Sequence, residues 1–154
     1  MLFRSQHTLD QMVILAIFLP VLAGQSGNTG CQALAVTLRG MTLGELEAGS
    51  ERSLVGKEAK LGMLNGALVG ITAGIGMFIV ARLQGNPQAL PLAAIVTIAM
   101  IGSCVVSGVA GATIPLILRK FGADPATASS IFLTTATDVC SMGLFLSLAT
   151  LLLL

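Results

Sequence analysis

Four long segments of this sequence carry at most one charged residue each, and this pattern constrains the fold more than any other feature. The first segment has 27 residues and the third has 29, and neither contains a charge. About 20 apolar residues are enough to cross roughly 30 Å of hydrocarbon. We therefore predict an all-α membrane protein with four transmembrane helices, at about Met12–Leu38, Leu61–Leu83, Leu90–Leu118 and Pro125–Leu152.

The composition supports this class and excludes others. Only 10% of residues are charged, against about 25% in soluble domains, and the mean hydropathy is +0.93. A net charge of +1 argues against a nucleic-acid binder, and the 55% hydrophobic content argues against a disordered segment. Enzymes are disfavoured as well, because the single histidine, His7, lies near the N-terminus and only one aspartate lies at membrane depth.

The first span has a polar, glycine-rich centre, which leaves two readings open. One is a single long helix, kinked or broken at Pro20 or at a glycine, and the other is a short helix followed by an exposed loop. We favour the long helix because apolar sequence resumes before Arg39. The preceding Met1–Asp10 does not resemble a signal peptide.

Two charged connections predict the orientation in the membrane. Arg39–Lys60 and Arg119–Ser130 carry six of the eight Lys and Arg residues, so we place both in the cytoplasm and both termini outside. Asp124 followed by Pro125 predicts the start of the last helix. The first connection is either a plain solvated loop or a short interfacial helix that begins at a capping box, Thr42-Leu43-Gly44-Glu45.

Small residues recur at four-residue spacing in the two central spans. Such stripes let a neighbouring backbone approach closely, so they predict dense helix packing. The second span contributes Gly62, Gly66, Gly70 and Gly74, and the third contributes Ala99, Ser103, Ser107 and Gly111.

Asp138 is the sharpest candidate for function. It lies roughly 20 Å along the last helix, near mid-membrane, where an isolated carboxylate costs about 2.5–3.5 kcal/mol. Such a residue is expected to face an ion, a water-filled cavity or a partner; the alternative is a protonated side chain that hydrogen-bonds to a neighbouring helix. Its polar neighbours are candidate pore-lining residues: Thr134, Thr135 and Ser141.

The glycine-rich centre of the first span is the second candidate. Asn28 and Gln32 lie one helical turn apart, and Gly27 frees the backbone beside them. Amide and carbonyl oxygens suit a hard cation, although a hydrogen-bond cluster between helices is an alternative reading. Asn65 is a third polar candidate, where structural hydrogen bonding is favoured over ligation.

This donor set narrows the choice of ion. Oxygen donors without a histidine or cysteine cluster favour Mg²⁺, Ca²⁺ or Mn²⁺. A single carboxylate per chain suits an ion that keeps much of its water, which is typical of Mg²⁺. Two chains around a two-fold axis would supply two carboxylates, so we expect a homodimer.

Several linked motifs resemble the MgtE family of magnesium transporters. Phe18–Leu22 followed by Gly27–Gln32 looks like that family's second transmembrane helix, and Leu64-Asn65-Gly66 resembles its third. The fourth and fifth helices are matched by Gly111–Pro115, Asp124–Ala126 and Thr134–Val139. The likeness runs from about Leu9 to Leu154.

The resemblance implies a homodimeric Mg²⁺ channel or transporter with its pore along the dimer axis. Asp138 matches the pore aspartate that holds a largely hydrated Mg²⁺, and Asn28 matches a pore-facing position. The family's first transmembrane helix and its regulatory and CBS domains have no counterpart in this sequence. Two other functions stay open: a non-transporting membrane assembly subunit, and a proton-coupled carrier that uses Asp138 as its relay.

Overall fold

The computed structural model describes residues 13–46 and 50–153 of the 154-residue chain. The described part is helical, without strands, and contains four long helices. These are α1 (Leu19–Thr42), α2 (Glu51–Leu83), α3 (Ala89–Lys120) and α4 (Pro125–Leu153). All four are long and apolar enough to cross a membrane, which confirms the predicted number of spans. The sequence before residue 13, including Met12 and the segment compared with a signal peptide, lies outside the described residues.

The first span is a long helix broken near its start. A helical turn at 13–16 precedes α1, and the amides of Ile17 and Phe18 donate to carbonyls three residues back rather than four. Pro20 has no amide hydrogen to continue the regular pattern, so it explains the break. The glycine-rich centre is continuous α-helix, and the alternative of an exposed loop is wrong.

Helices α1 and α2 extend into the charged segment that was predicted as a connection. Helix α1 continues to Thr42, and α2 begins at Glu51, ten residues before the predicted span. At 1.5 Å per residue, the 33 residues of α2 measure about 50 Å, more than the hydrocarbon layer requires. Helical hydrogen bonds continue past the apolar residues because charged side chains on an exposed helix end are solvated.

Helices α1, α2 and α3 end in the same motif, with a glycine in the left-handed conformation. At α1, Gly44 has φ +69°, its amide donates to Met41, and the Glu45 amide donates to the Gly40 carbonyl. Gly85 and Gly122 play the same part after α2 and α3. Residues 42–45, for which a helix start was one of two readings, therefore terminate α1, because a positive φ at Gly44 cannot continue a helix.

The start of α4 is the predicted one. Asp124 accepts hydrogen bonds from the Thr127 hydroxyl at 2.5 Å and from the Ala126 amide at 3.0 Å, and Pro125 is the first helical residue. These bonds, the Thr127 one foremost, hold the pKa of the exposed Asp124 carboxyl below its ordinary value.

Helix α3 lies at the centre of the bundle and contacts each of the other three helices. The predicted glycine stripe of α2 packs against it: a Cβ on Gly66 would lie 2.8 Å from the Ile101 Cα, and one on Gly62 would collide with the Cys104 carbonyl oxygen. Helix α1 packs on α3 and α4, where a Cβ on Gly111 would collide with the Gly30 carbonyl oxygen. In contrast, α1 and α2 touch each other only sparsely.

Candidate functional site

Helix α4 buries every fourth residue and leaves Asp138 on an exposed face. The buried row consists of Ser129, Leu133, Thr137, Ser141, Phe145 and Ala149. Asp138 follows Thr137 directly, so it lies about 100° away around the helix. The side chain is exposed on the surface of the single chain, thirteen residues after Pro125.

The Asp138 carboxylate makes no hydrogen bond or ion pair with any residue that the structure describes, although it lies within a helix apolar enough to cross a membrane. Thr134 and Thr135, one turn earlier, are also exposed, and their hydroxyls donate to backbone carbonyls of α4. Those hydroxyl protons are therefore used within the helix, and the oxygen lone pairs face outwards. The alternative was a protonated Asp138 side chain hydrogen-bonded to a neighbouring helix, but no described side chain forms a hydrogen bond with the Asp138 carboxyl.

Ser141 lies apart from this exposed face. It is fully buried, and its hydroxyl donates to the Asp138 carbonyl oxygen at 3.2 Å. Its contact with Asp138 is therefore through the backbone, where it adds a bond to the turn that carries the carboxylate.

An open groove of about 640 Å³ lies between helices α1 and α2. Three of the predicted site residues, Asn28, Gln32 and Asn65, line this groove together, although they come from two helices. The other lining residues are Gln25, Thr29, Cys31, Ala35, Val36, Glu58, Leu61 and Gly62. All of them belong to α1 or α2, and Asp138 is not among the residues that line the groove.

A hydrogen bond across the groove fixes the amide of Asn65. Its Nδ2 donates to the Thr29 hydroxyl oxygen at 3.0 Å, and the same hydroxyl donates its own proton to the Gln25 carbonyl oxygen at 3.0 Å. Because the hydroxyl has given its proton away, it can only accept from Asn65. The Asn65 Oδ1 is thus left free as an oxygen acceptor.

The glycines around Asn28 have different surroundings. A Cβ on Gly27 would meet no atom within 4 Å, whereas one on Gly30 would lie 3.2 Å from Leu133 and 3.3 Å from Thr137. Gly30 therefore permits close packing of α1 on α4. The backbone carbonyls of this segment accept helical hydrogen bonds. The side-chain amide oxygens are therefore the groups of this segment that are free to contact a cation or its water.

Glu58 is the residue of this groove that the sequence analysis missed. It was counted with the charged connection, yet it lies in α2 and only 7% of its surface is exposed. A signal was present, because Glu58 stands four residues before Gly62 and so continues the glycine stripe by one step. That spacing places it on the packed face of α2 rather than on a solvated one.

Comparison with known proteins agrees with these features. The family model for MgtE, described as a divalent cation transporter, matches residues 19–148. The magnesium transporter MgtE of Enterococcus faecalis is 34% identical over 144 residues, covering 94% of this chain and 30% of that protein. The corresponding proteins of Bacillus subtilis and Thermus thermophilus are 33% and 31% identical, over 94% and 96% of this chain. The chain spans about 30% of the length of these relatives.

Proposed function

Because this chain belongs to the MgtE family of divalent cation transporters, we propose that it conducts Mg²⁺ across the membrane. With four apolar helices it is an integral membrane protein, and its family is one of transporters rather than enzymes. Its relatives in Enterococcus faecalis and Bacillus subtilis are magnesium transporters, which supports the choice of ion. We place it in the plasma (inner) membrane, with both charged connections in the cytoplasm.

The observation that carries the proposal is the exposed, unpartnered carboxylate of Asp138. An ionised group at this depth costs several kcal/mol unless water, an ion or a partner meets it. In a homodimer with Asp138 near the two-fold axis, two carboxylates would face one water-filled passage. Two such charges attract a divalent cation strongly enough to concentrate it there.

The proposed passage holds the ion through its water shell. Mg²⁺ loses water reluctantly, and one carboxylate per chain cannot replace six ligands. Asp138 would therefore accept hydrogen bonds from bound water, with Asn28 as a second contact on α1. Water-mediated contacts are weak enough for the ion to leave again, as conduction requires. The remaining candidate pore-lining residues are Gly27, Gln32, Asn65, Thr134 and Thr135, while Ser141 would act by holding the turn that carries Asp138.

Removal of the Asp138 charge tests this role. We expect Asp138→Ala and Asp138→Asn to abolish Mg²⁺ uptake into liposomes that contain the purified chain and a Mg²⁺-sensitive dye. Asn matches Asp in size, so loss in both variants assigns the effect to charge. Ser147→Ala is the matched control, because Ser147 is exposed on the opposite side of α4 and should leave uptake unchanged.

Unchanged uptake in Asp138→Asn would reject the role of the carboxylate. The same liposomes distinguish the other two functions: uptake that depends on an imposed pH gradient would favour a proton-coupled carrier, and absence of uptake in the unaltered chain would favour an assembly subunit.

A further inference from the structure

The groove between α1 and α2 holds a carboxylate that the Asp138 pathway does not use. Only 7% of the Glu58 surface is exposed, and Glu58 lines the groove. No hydrogen bond or ion pair joins it to any residue in the described part of the chain. A carboxylate with so little exposed surface and no protein partner is stabilised by water or by a cation, which can reach it only through the groove.

The groove brings oxygen donors from both helices to this carboxylate. Glu58, Gly62 and Asn65 follow one stripe of α2, spaced four and three residues apart. Gln25, Asn28 and Gln32 follow one stripe of α1, spaced three and four residues apart. Each stripe spans two helical turns, about 10 Å. Gly62 lines the groove between Glu58 and Asn65, while its Cα faces the Cys104 carbonyl of α3.

The chemistry of these donors suits a hard cation. The Asn65 Oδ1 is free because its Nδ2 is held by Thr29. The groove therefore presents one carboxylate and several amide oxygens. No group of three or more His, Cys, Asp or Glu side chains within metal-binding reach occurs in the described residues, so a stripped transition metal is not the expected ligand.

The volume of the groove leaves room for a hydrated ion. A cation with six waters occupies roughly 200 Å³, at about 30 Å³ for each water. The groove of about 640 Å³ has room for this complex. With a single carboxylate, an ion in this space would keep its water, and the amide oxygens would accept hydrogen bonds from that water.

We propose that this groove is a second divalent-cation site, in which Glu58 and the amides of Asn65 and Gln32 hold a hydrated ion apart from Asp138. The inference rests on the proposed function only in taking a divalent cation as the ligand. Glu58 stands near the charged N-terminal turns of α2, so the site would lie towards the side of the membrane on which Arg39–Lys60 is placed.

Mn²⁺ is a suitable probe because it replaces Mg²⁺ at oxygen sites and is paramagnetic. Cys31 lines the groove and is exposed, so it can carry a small trifluoromethyl label in the full chain with Cys140 changed to serine. Cys104 is buried and should not react. In an Asp138→Asn background, which removes the other site, Mn²⁺ bound in the groove should broaden the ¹⁹F signal of the label.

We expect Glu58→Gln to raise the Mn²⁺ concentration needed for broadening by about tenfold, a usual effect of losing an outer-shell partner. Glu58→Asp keeps the charge and should recover most of the affinity. The control is Glu45→Gln, an exposed carboxylate outside the groove, which should change nothing. If Glu58→Gln and the protein with Glu58 intact need the same Mn²⁺ concentration for broadening, the proposal is overturned.

A gain of affinity provides a test that does not depend on a buried substitution. Gln32 is exposed and lines the groove, so Gln32→Glu adds a second carboxylate with little risk to folding. We expect it to lower the Mn²⁺ concentration for half-maximal broadening by about tenfold; no change would contradict the site. These measurements report Mn²⁺ binding in the groove and not uptake. Binding in the groove can therefore be absent while Asp138 still controls uptake, and it can be present while Asp138 has no effect on uptake.

Discussion

Most polar side chains within the spans use their hydrogen bonds on their own helix. The hydroxyl of Thr37 donates to the Ala33 carbonyl at 2.8 Å, and that of Thr150 donates to Leu146 at 2.8 Å. Such residues add little to the free-energy cost of placing the helix in the bilayer, because each hydroxyl proton is hydrogen-bonded within its own helix. Asp138 and Glu58 cannot do this, since a carboxylate only accepts and the helix amides beside it are already bonded. The candidate functional residues are thus those whose chemistry their own helix cannot complete.

The cap at Asp124 makes a pH-dependent contribution to stability. Its pKa is lowered in the folded chain, chiefly by the Thr127 hydroxyl, so the ionised form is favoured by folding. This contribution is fully present above the ordinary pKa of 3.8 and is lost as the pH falls through the lowered value. We expect Asp124→Ala to melt at a lower temperature than the unaltered chain at pH 7, with the difference shrinking below about pH 4.

Thermal unfolding in detergent, followed by circular dichroism at both pH values, measures this difference. Asp124→Asn keeps a capping oxygen without the titration, so it should stay close to the unaltered chain at pH 7. A constant difference between Asp124→Ala and the unaltered chain at every pH would contradict the titration.

At the scale of helices, the glycines of α2 fall into two groups. Those on the stripe contact α3 so closely that a methyl group has no room, whereas Gly56 on the same helix has no atom within 4 Å of an added Cβ. The stripe therefore determines the distance between two backbones. Gly56 instead lies at an exposed helix position that has room for a larger side chain.

This contrast predicts opposite effects of the same substitution. Gly62→Ala should lower the free energy of unfolding by about 1–3 kcal/mol, because its methyl group would collide with the Cys104 carbonyl oxygen. Gly56→Ala should raise it by about 0.5–1 kcal/mol, because alanine has the higher helix propensity. Denaturant titration in mixed micelles compares the two. Equal effects would show that the close approach of α2 and α3 does not determine stability.

The sequence predicted the existence of these elements better than their ends or their neighbours. Apolar length identifies a span directly, and the proline after Asp124 identifies a start. The extensions of α1 and α2 could not be read from hydropathy, because hydrogen bonding continues where the lipid ends. Asn28, Gln32 and Asn65 were each recognisable as polar residues, but their meeting with Glu58 depends on how α1 packs beside α2, which no local pattern specifies.

At the scale of the whole molecule, one chain does not complete the proposed pathway. Asp138 lies on an outer surface of the bundle, where lipid, water or another chain must meet it. A second copy is the simplest source of an opposing carboxylate.

We therefore expect cross-linking between chains at position 138. In a variant with Cys31 and Cys140 changed to serine, Asp138→Cys should form covalent dimers with a bifunctional maleimide. The cross-linker should be no longer than the distance that one hydrated ion would leave between the two residues at position 138. Ser147→Cys, on the opposite side of α4, should stay monomeric under the same treatment. Gel electrophoresis separates the products, and monomeric Asp138→Cys would place the residue away from any two-fold axis.

The close contact of α2 and α3 also limits how the bundle can move. Because even a methyl group has no room at Gly62 or Gly66, sliding α2 along α3 would bring larger side chains against the opposite backbone, so the pair behaves as a rigid frame. Helix α1 joins this frame through the equally close approach of Gly30 to Gly111, and the hydrogen bonding of the first span is interrupted only before Pro20. A bend of the first span would therefore occur at Ile17 and Phe18, while α2 and α3 keep their distance.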